Sequence, residues 1–439
     1  MPLRKKPLNG MRQLYPSKKR VEDYVSGAVR AACSAYGYEE YEGPVIEPLS
    51  LFLAKSGNEL AVEQSYNFTD RKDRELILRP ELTPTLARMV AAAGELVWPV
   101  RWMSFPLCYR YERPQRGRAR EFMQFNCDLL GVSGPEAELE LLLVLRRVMR
   151  SLGADASIFE IAYSSRGLAG EVLAAAGMGP GLQAEAFGAI DRRDKMDDDA
   201  WREYLAERLE SSSQVEAARR LADCRDPREQ WLVESVGDTD AYRRLMWLAS
   251  RLREQGVECA GFDGSVVRGL DYYTGVVFEV RDTGGRNRRA ICGGGRYDDL
   301  VGLFGGRKVP GAGFGLGILT LQLFLESYGL IPDHVAQAAA ADLFLAVYSS
   351  DQRPAAMELA ESLRDRGIRV ETDVTGKRLS AQFRLAGNRG VRWAAVMGPE
   401  EAASGSIGLK EMASGRQVDL PFEKLAEHIA AGDQSYRGW

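Results

Sequence analysis

Five arginines are concentrated in one polar segment, residues 110–122, which lies between two apolar stretches with strand-like patterns. They are Arg110, Arg113, Arg116, Arg118 and Arg120. Guanidinium groups bind phosphate and carboxylate oxygens through paired hydrogen bonds, so such a cluster is suited to a polyphosphate ligand. A solvated charged hairpin would have the same composition. The apolar flanks favour the anion site, because they bring the arginines at the base of the loop close to a core.

A second distinctive segment, residues 267–279, places Arg268 and two aromatic residues, Tyr272 and Tyr273, between apolar strands. An exposed arginine on an edge strand is the simpler interpretation. The Gly-Leu pair that follows the arginine favours a position within or beside a cleft instead. The glycine-rich run 293–298 differs from the phosphate-binding loop of nucleotide hydrolases, and by itself it indicates no more than a tight turn.

The remaining composition narrows the chemistry further. The chain of 439 residues has two histidines, His334 and His428, and neither lies in a candidate motif. None of the six cysteines forms a CxxC pair, so the spacing predicts neither a zinc site nor a disulfide framework. The formal net charge of −4 gives no global electrostatic reason to expect nucleic acid, although a local basic surface is compatible with it. Arginines and carboxylates are therefore expected to carry the chemistry.

These segments need a scaffold of strands and helices, which the hydrophobic periodicity predicts. We expect a first helix over 21–36, a hairpin over 64–79, a leucine-rich helix over 135–152, and strands over 101–111, 120–130 and 158–163. Strand patterns almost vanish between about 167 and 255, which predicts a mostly helical insertion. They return at 262–267 and 276–281, and a helix over 319–328 closes the region.

A separate domain is predicted at the C-terminus, after a linker over 329–341. Its pattern runs strand, helix, strand, helix and strand, over 343–347, 354–366, 370–372, 380–388 and 393–397. No apolar run approaches the ~20 residues of a membrane span, and residues 1–19 lack the apolar core of a secretion signal. We therefore expect a cytoplasmic protein that does not engage a membrane.

Together these segments resemble the histidyl-tRNA synthetase family of class II aminoacyl-tRNA synthetases, over nearly the whole chain. The segment 79–84, Arg-Pro-Glu-Leu-Thr-Pro, is similar to the loop that binds the α-amino group of histidine, and the arginine-rich segment is similar to motif 2. Residues 268–279 and 292–306 resemble two histidine-specific signatures. Residues 37–47 resemble motif 1, which serves the dimer interface, and residues 377–397 resemble part of the anticodon-binding domain.

The resemblance implies an α+β fold. A class II antiparallel sheet flanked by helices would form a catalytic domain over 1–328, with the helical insertion inside it, and an α/β anticodon-binding domain would follow over 342–439. The implied reaction activates histidine with ATP, accompanied by Mg²⁺, to histidyl-adenylate and pyrophosphate, and then transfers histidine to the 3′ end of tRNA. The implied partners are L-histidine, ATP, tRNA(His) and a second copy of the chain in a homodimer, and they do not include DNA.

The resemblance also assigns roles to residues of this sequence. Arg110 and Arg268 would be catalytic, because two anions must approach each other at the α-phosphate and fixed cations would stabilise them. Histidine binding would use these two arginines together with Glu81, Leu82, Thr83, Gln124, Asp128, Tyr272 and Tyr273. ATP binding would use Arg110, Arg268, Glu112 and Arg118. The acceptor stem of tRNA would contact Arg113, Gln115 and Arg116, and no protein-only metal site is implied.

Motif 3 departs from the usual pattern of the family. Thr320 stands where the resemblance leads us to expect the arginine that clamps ATP, and Arg116, Arg118 or Arg296 could compensate for it. Two other functions stay open: a regulatory or histidine-sensing paralogue, and an enzyme that loads an amino acid onto something other than tRNA. The retained signature at 268–273 argues against the first, and the C-terminal domain argues against both.

Overall fold

The computed structural model describes residues 5–53, 63–193, 196–267, 272–305 and 308–431. The chain divides into two compact units, of which the first ends at Ile331 and the second begins at Pro332. Each unit has a hydrophobic core of its own. No helix in the described ranges is long and apolar enough to cross a lipid bilayer.

The first unit combines helices with two sheets. Its described helices are α1 (Pro16–Ser34), α2 (Leu49–Leu53), α3 (Thr83–Ala92), α4 (Glu136–Ser151), α5 (Arg166–Ala175), α6 (Pro180–Ile190), α7 (Asp198–Ala206), α8 (Ser212–Asp223), α9 (Gln230–Val236), α10 (Asp240–Glu254) and α11 (Ile318–Ser327). Its described strands are β1 (Glu39–Glu40), β2 (Ile46–Pro48), β3 (Tyr66–Thr69), β4 (Glu75–Leu78), β5 (Val100–Ser104), β6 (Leu107–Tyr109), β7 (Glu121–Leu130), β8 (Phe159–Ser165), β9 (Ala260–Phe262), β10 (Val276–Asp282), β11 (Cys292–Arg296) and β12 (Gly311–Gly317).

The main sheet of this unit has the strand order β1-β5-β7-β12-β11-β10-β8-β9, and β6 pairs with the outer part of β7. Its central pairs are antiparallel, whereas β1 pairs with β5 and β9 with β8 in parallel. A smaller antiparallel sheet has the order β2-β4-β3. The long strand β7 therefore lies inside the main sheet, between β5 and β12.

Helices cover one face of the main sheet. Helix α1 packs against α4 and α11, and these two helices pack against β7 and β12. The apolar residues of β7 on this face, Phe125, Cys127 and Leu129, are buried in the same core. Because side chains alternate between the two faces of a strand, the residues between them point to the opposite face. That opposite face carries the candidate site.

The predicted helices, the hairpin over 64–79 and the helical insertion are confirmed. Helices α1, α4 and α11 lie where the periodicity predicts them, β3 and β4 form the hairpin, and the described elements between β8 and β9 are all helices. The fold is α+β, as predicted.

Two strand predictions need correction. The strand predicted over 101–111 is two strands, β5 and β6, interrupted at Phe105 and Pro106, because proline has no N–H to donate to a ladder. The strand predicted over 262–267 is wrong beyond Phe262. There the carboxylate of Asp263 accepts hydrogen bonds from the backbone N–H of Ser265 (2.9 Å) and from its hydroxyl (2.7 Å), which forms a turn in place of an extended strand.

The second unit is an α/β domain. Its described elements are α12 (Asp333–Gln337), β13 (Leu343–Val347), α13 (Arg353–Asp365), β14 (Val370–Thr372), α14 (Leu379–Asn388), β15 (Trp393–Met397), α15 (Pro399–Ser404), β16 (Ser406–Glu411), β17 (Gln417–Pro421) and α16 (Phe422–Ala431). The sheet order is β14-β13-β15-β16-β17, with its first three strands parallel. The predicted strand–helix alternation is confirmed. The hairpin β16–β17 and the last two helices are additional, and α12 lies within the segment 329–341, for which the sequence predicts a linker.

Candidate active site

Strand β7 presents a polar row on the face opposite the helical core. Gln124, Asn126 and Asp128 alternate with buried apolar residues of the same strand. The side-chain amide of Gln124 donates to Asn126 Oδ1 at 2.9 Å, so the first two members of the row hold each other in place. A row of amides and a carboxylate beneath a protein surface is suited to bind a polar ligand.

Glycines in the neighbouring strand β12 leave room for the side chains of this row. Gly313 and Gly315 of β12 lie directly opposite Asp128 and Asn126 in the strand pairing. A Cβ atom at Gly313 would clash with Asp128 Oδ1, and one at Gly315 would lie 2.8 Å from the side-chain nitrogen of Gln124. The positions of the Asp128 and Gln124 side chains therefore depend on the absence of side chains at these two glycines.

Asp128 is the most deeply placed member of the row, with 1% of its surface exposed. The hydroxyl of Tyr297 donates to its Oδ1 at 2.5 Å, whereas its Oδ2 has no hydrogen-bond partner among the described residues. Burial and the nearby charge of Glu81 raise the pKa of Asp128 to about 7, although the hydrogen bond from Tyr297 lowers it. A buried acceptor without a partner is costly, so a ligand that donates to this oxygen would be stabilised.

A second buried carboxylate, Glu81, belongs to the same site. The hydroxyl of Tyr272 donates to Glu81 Oε2 at 3.0 Å. Burial, followed by the charge of Glu81, raises the pKa of Tyr272 well above its ordinary value, so this hydroxyl stays protonated and remains a donor. The rings of Tyr272 and Tyr297 meet edge to face, with their centres 6.0 Å apart, and the ring centres of Tyr272 and Tyr273 are 4.8 Å apart. These tyrosines connect the two carboxylates.

The segment before α3 is fixed by a buried arginine. Arg79 is 2% exposed, and its Nη1 donates to the carbonyl of Gly43 at 2.6 Å and to Glu42 at 2.9 Å. Its Nε donates to the carbonyl of Leu107 at 2.9 Å. Arg79 thereby ties three parts of the chain together, which holds the position of the segment that follows it.

Three predicted histidine-binding residues follow Arg79 closely. Glu81, Leu82 and Thr83 are all buried, and Thr83 is the first residue of α3. A side-chain hydrogen bond between Thr83 and Tyr272 opposes the rise in the pKa of that tyrosine without cancelling it. Glu81, Thr83 and Tyr272 are thus brought together, although Tyr272 is far from the other two in sequence.

The base of the arginine-rich loop adjoins this segment. Arg110 is half-buried, its Nε donates to the carbonyl of Pro80 at 3.0 Å, and its guanidinium carbon lies 5.3 Å from the ring centre of Phe122. Glu112, whose side chain is 7% exposed, pairs with Arg118, while its Oε1 has no hydrogen-bond partner among the described residues. The base of the loop is therefore built into the protein, as the apolar flanks predict.

The tip of the loop is solvated. Arg113, Gln115 and Arg116 are exposed, so the charged-hairpin interpretation describes the tip correctly. Gln115 Oε1 nevertheless accepts a hydrogen bond from Arg289 Nη2 at 2.9 Å. Arg289 comes from the segment between β10 and β11, which no sequence pattern connects to this loop.

Other predicted residues are placed differently. Arg268, with the three residues after it, lies outside the described residues. Arg296 forms a buried ion pair with Glu138 at 2.5 Å and also donates to two backbone carbonyls, so it does not compensate for the motif 3 arginine. The tight turn predicted at the glycine run is wrong, because Cys292–Arg296 is the buried strand β11, paired on both sides.

Two residues at or beside the site were not predicted from the sequence. They are Tyr297 and Arg289. Tyr297 lies within the glycine-rich run 293–298 and within the signature 292–306, but no role in the site was assigned to it from either. Arg289 carries no sequence signal, because it is one of several arginines in a polar connection between strands.

A model of the family described as histidyl-tRNA synthetase matches residues 10–321, and a model described as anticodon binding domain matches residues 342–431. The chain belongs to the histidyl-tRNA synthetase family. Histidine–tRNA ligase of Leptospira biflexa is 35% identical over 428 residues, which is 96% of each chain. Histidine–tRNA ligase of Opitutus terrae is 37% identical over 432 residues, 95% of this chain and 96% of the relative.

The fold agrees with a solved structure of the same family. The crystal structure of histidyl-tRNA synthetase from Nostoc sp. PCC 7120 superposes with a TM-score of 0.82, covering 98% of this chain and 100% of that one. The two sequences are 22% identical. The likeness confirms the predicted fold of this family member.

The segment that resembles motif 3 leads into helix α11. Thr320 is half-buried in the first turn of α11, close to Gly317, where an added Cβ would lie 3.0 Å from the threonine hydroxyl oxygen. A threonine hydroxyl carries no charge, so this position supplies no cation for a phosphate group.

Proposed function

We propose that this chain is a histidine–tRNA ligase, which activates L-histidine with ATP and transfers the histidyl group to the 3′ end of tRNA(His). One observation carries the proposal: hydrogen bonds and ring contacts connect a buried set of residues in this member of the family, namely Glu81, Tyr272, Tyr297 and Asp128. Relatives that align with nearly the whole chain bear the name histidine–tRNA ligase.

Histidine is expected to bind between the two carboxylates. Its ammonium group would interact with Glu81 and Thr83, with Leu82 behind them and Gln124 nearby. Its imidazole N–H would donate to Asp128, whose Oδ2 lacks a partner among the described residues. Tyr273, next to Tyr272, would contact the other ring nitrogen. An amino acid without a ring N–H would leave Asp128 unpaired, which is the physical basis of discrimination.

Activation requires two anions to approach each other. A carboxylate oxygen of histidine attacks the α-phosphorus of ATP, and the bond to pyrophosphate breaks. Arg110, which the carbonyl of Pro80 holds beside Glu81, would stabilise the developing charge from one side. By resemblance, Arg268 would do so from the other side. In the second step a ribose hydroxyl at the 3′ end of tRNA attacks the carbonyl carbon, and AMP leaves.

Mg²⁺ is proposed to arrive with ATP. No group of three or more His, Cys, Asp or Glu side chains within the described ranges could hold a metal ion. Glu112 suits a metal bound mainly by the nucleotide, because its Oε1 is buried and has no hydrogen-bond partner in the described part of the chain. Mg²⁺ commonly uses one or two carboxylates together with substrate phosphates, whose charge it partly neutralises.

The contacts with tRNA and with a second copy of the chain rest on resemblance. The exposed Arg113, Gln115 and Arg116 at the loop tip would face the acceptor stem. The second unit, whose residues 342–431 match the anticodon binding domain, would hold the anticodon. Residues 37–47 would contribute to a homodimer interface. A cytoplasmic location is part of the same proposal.

The deciding experiment measures ATP–pyrophosphate exchange by the full chain with Mg²⁺ and each protein amino acid in turn, followed by charging of tRNA(His). We expect exchange with histidine alone and formation of histidyl-tRNA. Lack of histidine-dependent exchange would refute the proposal, and histidine binding without exchange would favour the regulatory paralogue. Exchange without charging of tRNA would favour a different acceptor.

A further inference from the structure

Arg289 occupies an unexpected position beside the arginine-rich loop. It lies between β10 and β11, is half-buried, and donates from Nη2 to Gln115 Oε1 at 2.9 Å. Its aliphatic part also approaches the loop, since a Cβ added at Gly117 would lie 3.7 Å from Arg289 Cδ. The same added atom would lie 3.6 Å from Leu323 of α11, so the arginine-rich loop, the β10–β11 connection and α11 meet here.

The guanidinium of Arg289 makes no ion pair with any carboxylate in the described ranges. Its pKa is lowered below the ordinary arginine value, first by burial and then by the charge of Arg118, with Glu112 opposing the effect. Glu112 itself already pairs with Arg118. Two guanidinium groups therefore lie near one carboxylate, which leaves a local excess of positive charge that an anion would relieve.

The neighbouring arginines of the same connection are arranged differently. Arg286 stacks on Tyr328, with its guanidinium carbon 4.3 Å from the ring centre, and donates to the carbonyl of Ser327. Arg288 is exposed. Of the three, Arg289 is the one that hydrogen-bonds the arginine-rich loop. Arg288 is thus a matched control for charge and chain position.

We propose that Arg289 binds the β- or γ-phosphate of ATP, facing Arg118 across the nucleotide. The proposal rests on the proposed function and adds to it a phosphate-binding residue outside the recognised motifs. The donor fork of Arg289 is held by Gln115 before the nucleotide arrives, and it reaches the loop on the side of α11, the helix that carries Thr320. A cation from the β10–β11 connection would thereby contact the phosphates, for which Thr320 of α11 supplies no charge.

The test compares nucleotides that differ in the proposed contact. Calorimetric titration of the full chain with ATP and with AMP, both with Mg²⁺, is performed for wild type, Arg289→Ala, Arg289→Lys and the control Arg288→Ala. Arg289→Ala should weaken ATP binding by roughly tenfold or more, the loss expected for one charge-assisted hydrogen bond. AMP lacks both outer phosphates, so its affinity should stay within about twofold, the ordinary scatter of such measurements. Arg288→Ala should match wild type.

Arg289→Lys keeps the charge but not the fork, so an intermediate affinity for ATP is expected. Retained binding of histidine by each variant establishes that the site is folded. The proposal is overturned if Arg289→Ala binds ATP as well as wild type does, or if ATP and AMP lose affinity equally. If the wild type is active in exchange and Arg289→Ala binds ATP normally, only this inference is rejected. If the wild type shows no histidine-dependent exchange, the proposed function is rejected.

Discussion

Replacing Asp128 by asparagine should make the empty protein lose less stability as pH rises, and it should destroy histidine recognition. The pKa of Asp128 is raised to about 7 in the folded protein, mainly by burial. An unfolded chain releases this proton near pH 4, so between these values the folded state holds a proton that the unfolded state has lost. The folded state is therefore stabilised by this group at low pH, and the stabilisation disappears as pH rises through about 7.

The size of the effect follows from the shift. A rise from about 3.9 to about 7 corresponds to roughly 4 kcal/mol in the free energy of unfolding. About 2–3 kcal/mol of this is lost between pH 5 and pH 8. Asparagine can still accept from Tyr297, and its amide adds an offset that does not depend on pH. The difference in pH dependence between the two proteins therefore isolates the ionisation of Asp128.

Thermal unfolding at pH 5 and at pH 8 measures this difference, followed through the transition of the first unit. Relative to wild type, the Asp128→Asn variant should gain on the order of 5 °C in Tm as pH rises from 5 to 8. Asp199→Asn, at an exposed position in the first turn of α7, should follow the wild type at both values. Parallel pH profiles for wild type and Asp128→Asn would refute the reasoning, as would retained histidine-dependent exchange in the variant.

Three further substitutions test other parts of the site. Tyr272→Phe removes the hydroxyl that donates to Glu81. In pyrophosphate exchange it should raise KM for histidine about tenfold, with a smaller change in kcat. An unchanged KM would show that this hydrogen bond does not support histidine binding. Gly313→Ala places a methyl group against Asp128 and should abolish histidine binding in calorimetry, whereas Gly188→Ala, which has open space around it, should bind normally. Arg268→Ala should slow exchange on the order of 10²-fold or more, and a rate within a few-fold of wild type would remove its catalytic assignment.

Periodicity predicted most helices, because each buries a continuous apolar stripe; α4 places Leu141, Leu145 and Val148 in the core. Strands were less predictable, since local turn chemistry competes with extension. Asp263 ends β9 early in this way. Strand β11 is the opposite case, a strand where the sequence indicated a turn. A run of glycines has little strand preference, and pairing with β10 and β12 holds it extended.

The site was predictable only in part, because its contacts join distant segments. Tyr272 is 191 positions from Glu81, and Tyr297 is 169 positions from Asp128. Composition alone predicted an anion site among the arginines, and resemblance supplied the histidine-binding residues. No local pattern indicates which arginine of the β10–β11 connection faces the loop, since strand pairing and hairpin geometry decide it. The position of Arg289 and the contact between Tyr297 and Asp128 could therefore be found only in the folded chain.

The glycines beside the polar row restrict how this site could be redesigned. Enlarging a binding pocket usually means trimming side chains, and along Gly313 and Gly315 of β12 there is nothing to trim. That wall is main chain paired on both sides, so it has no rotamers with which to adjust to a bulkier amino acid. Acceptance of a larger histidine analogue must come from the tyrosine side, at Tyr273 or Tyr297. Smaller analogues could be excluded or admitted there without disturbing the sheet.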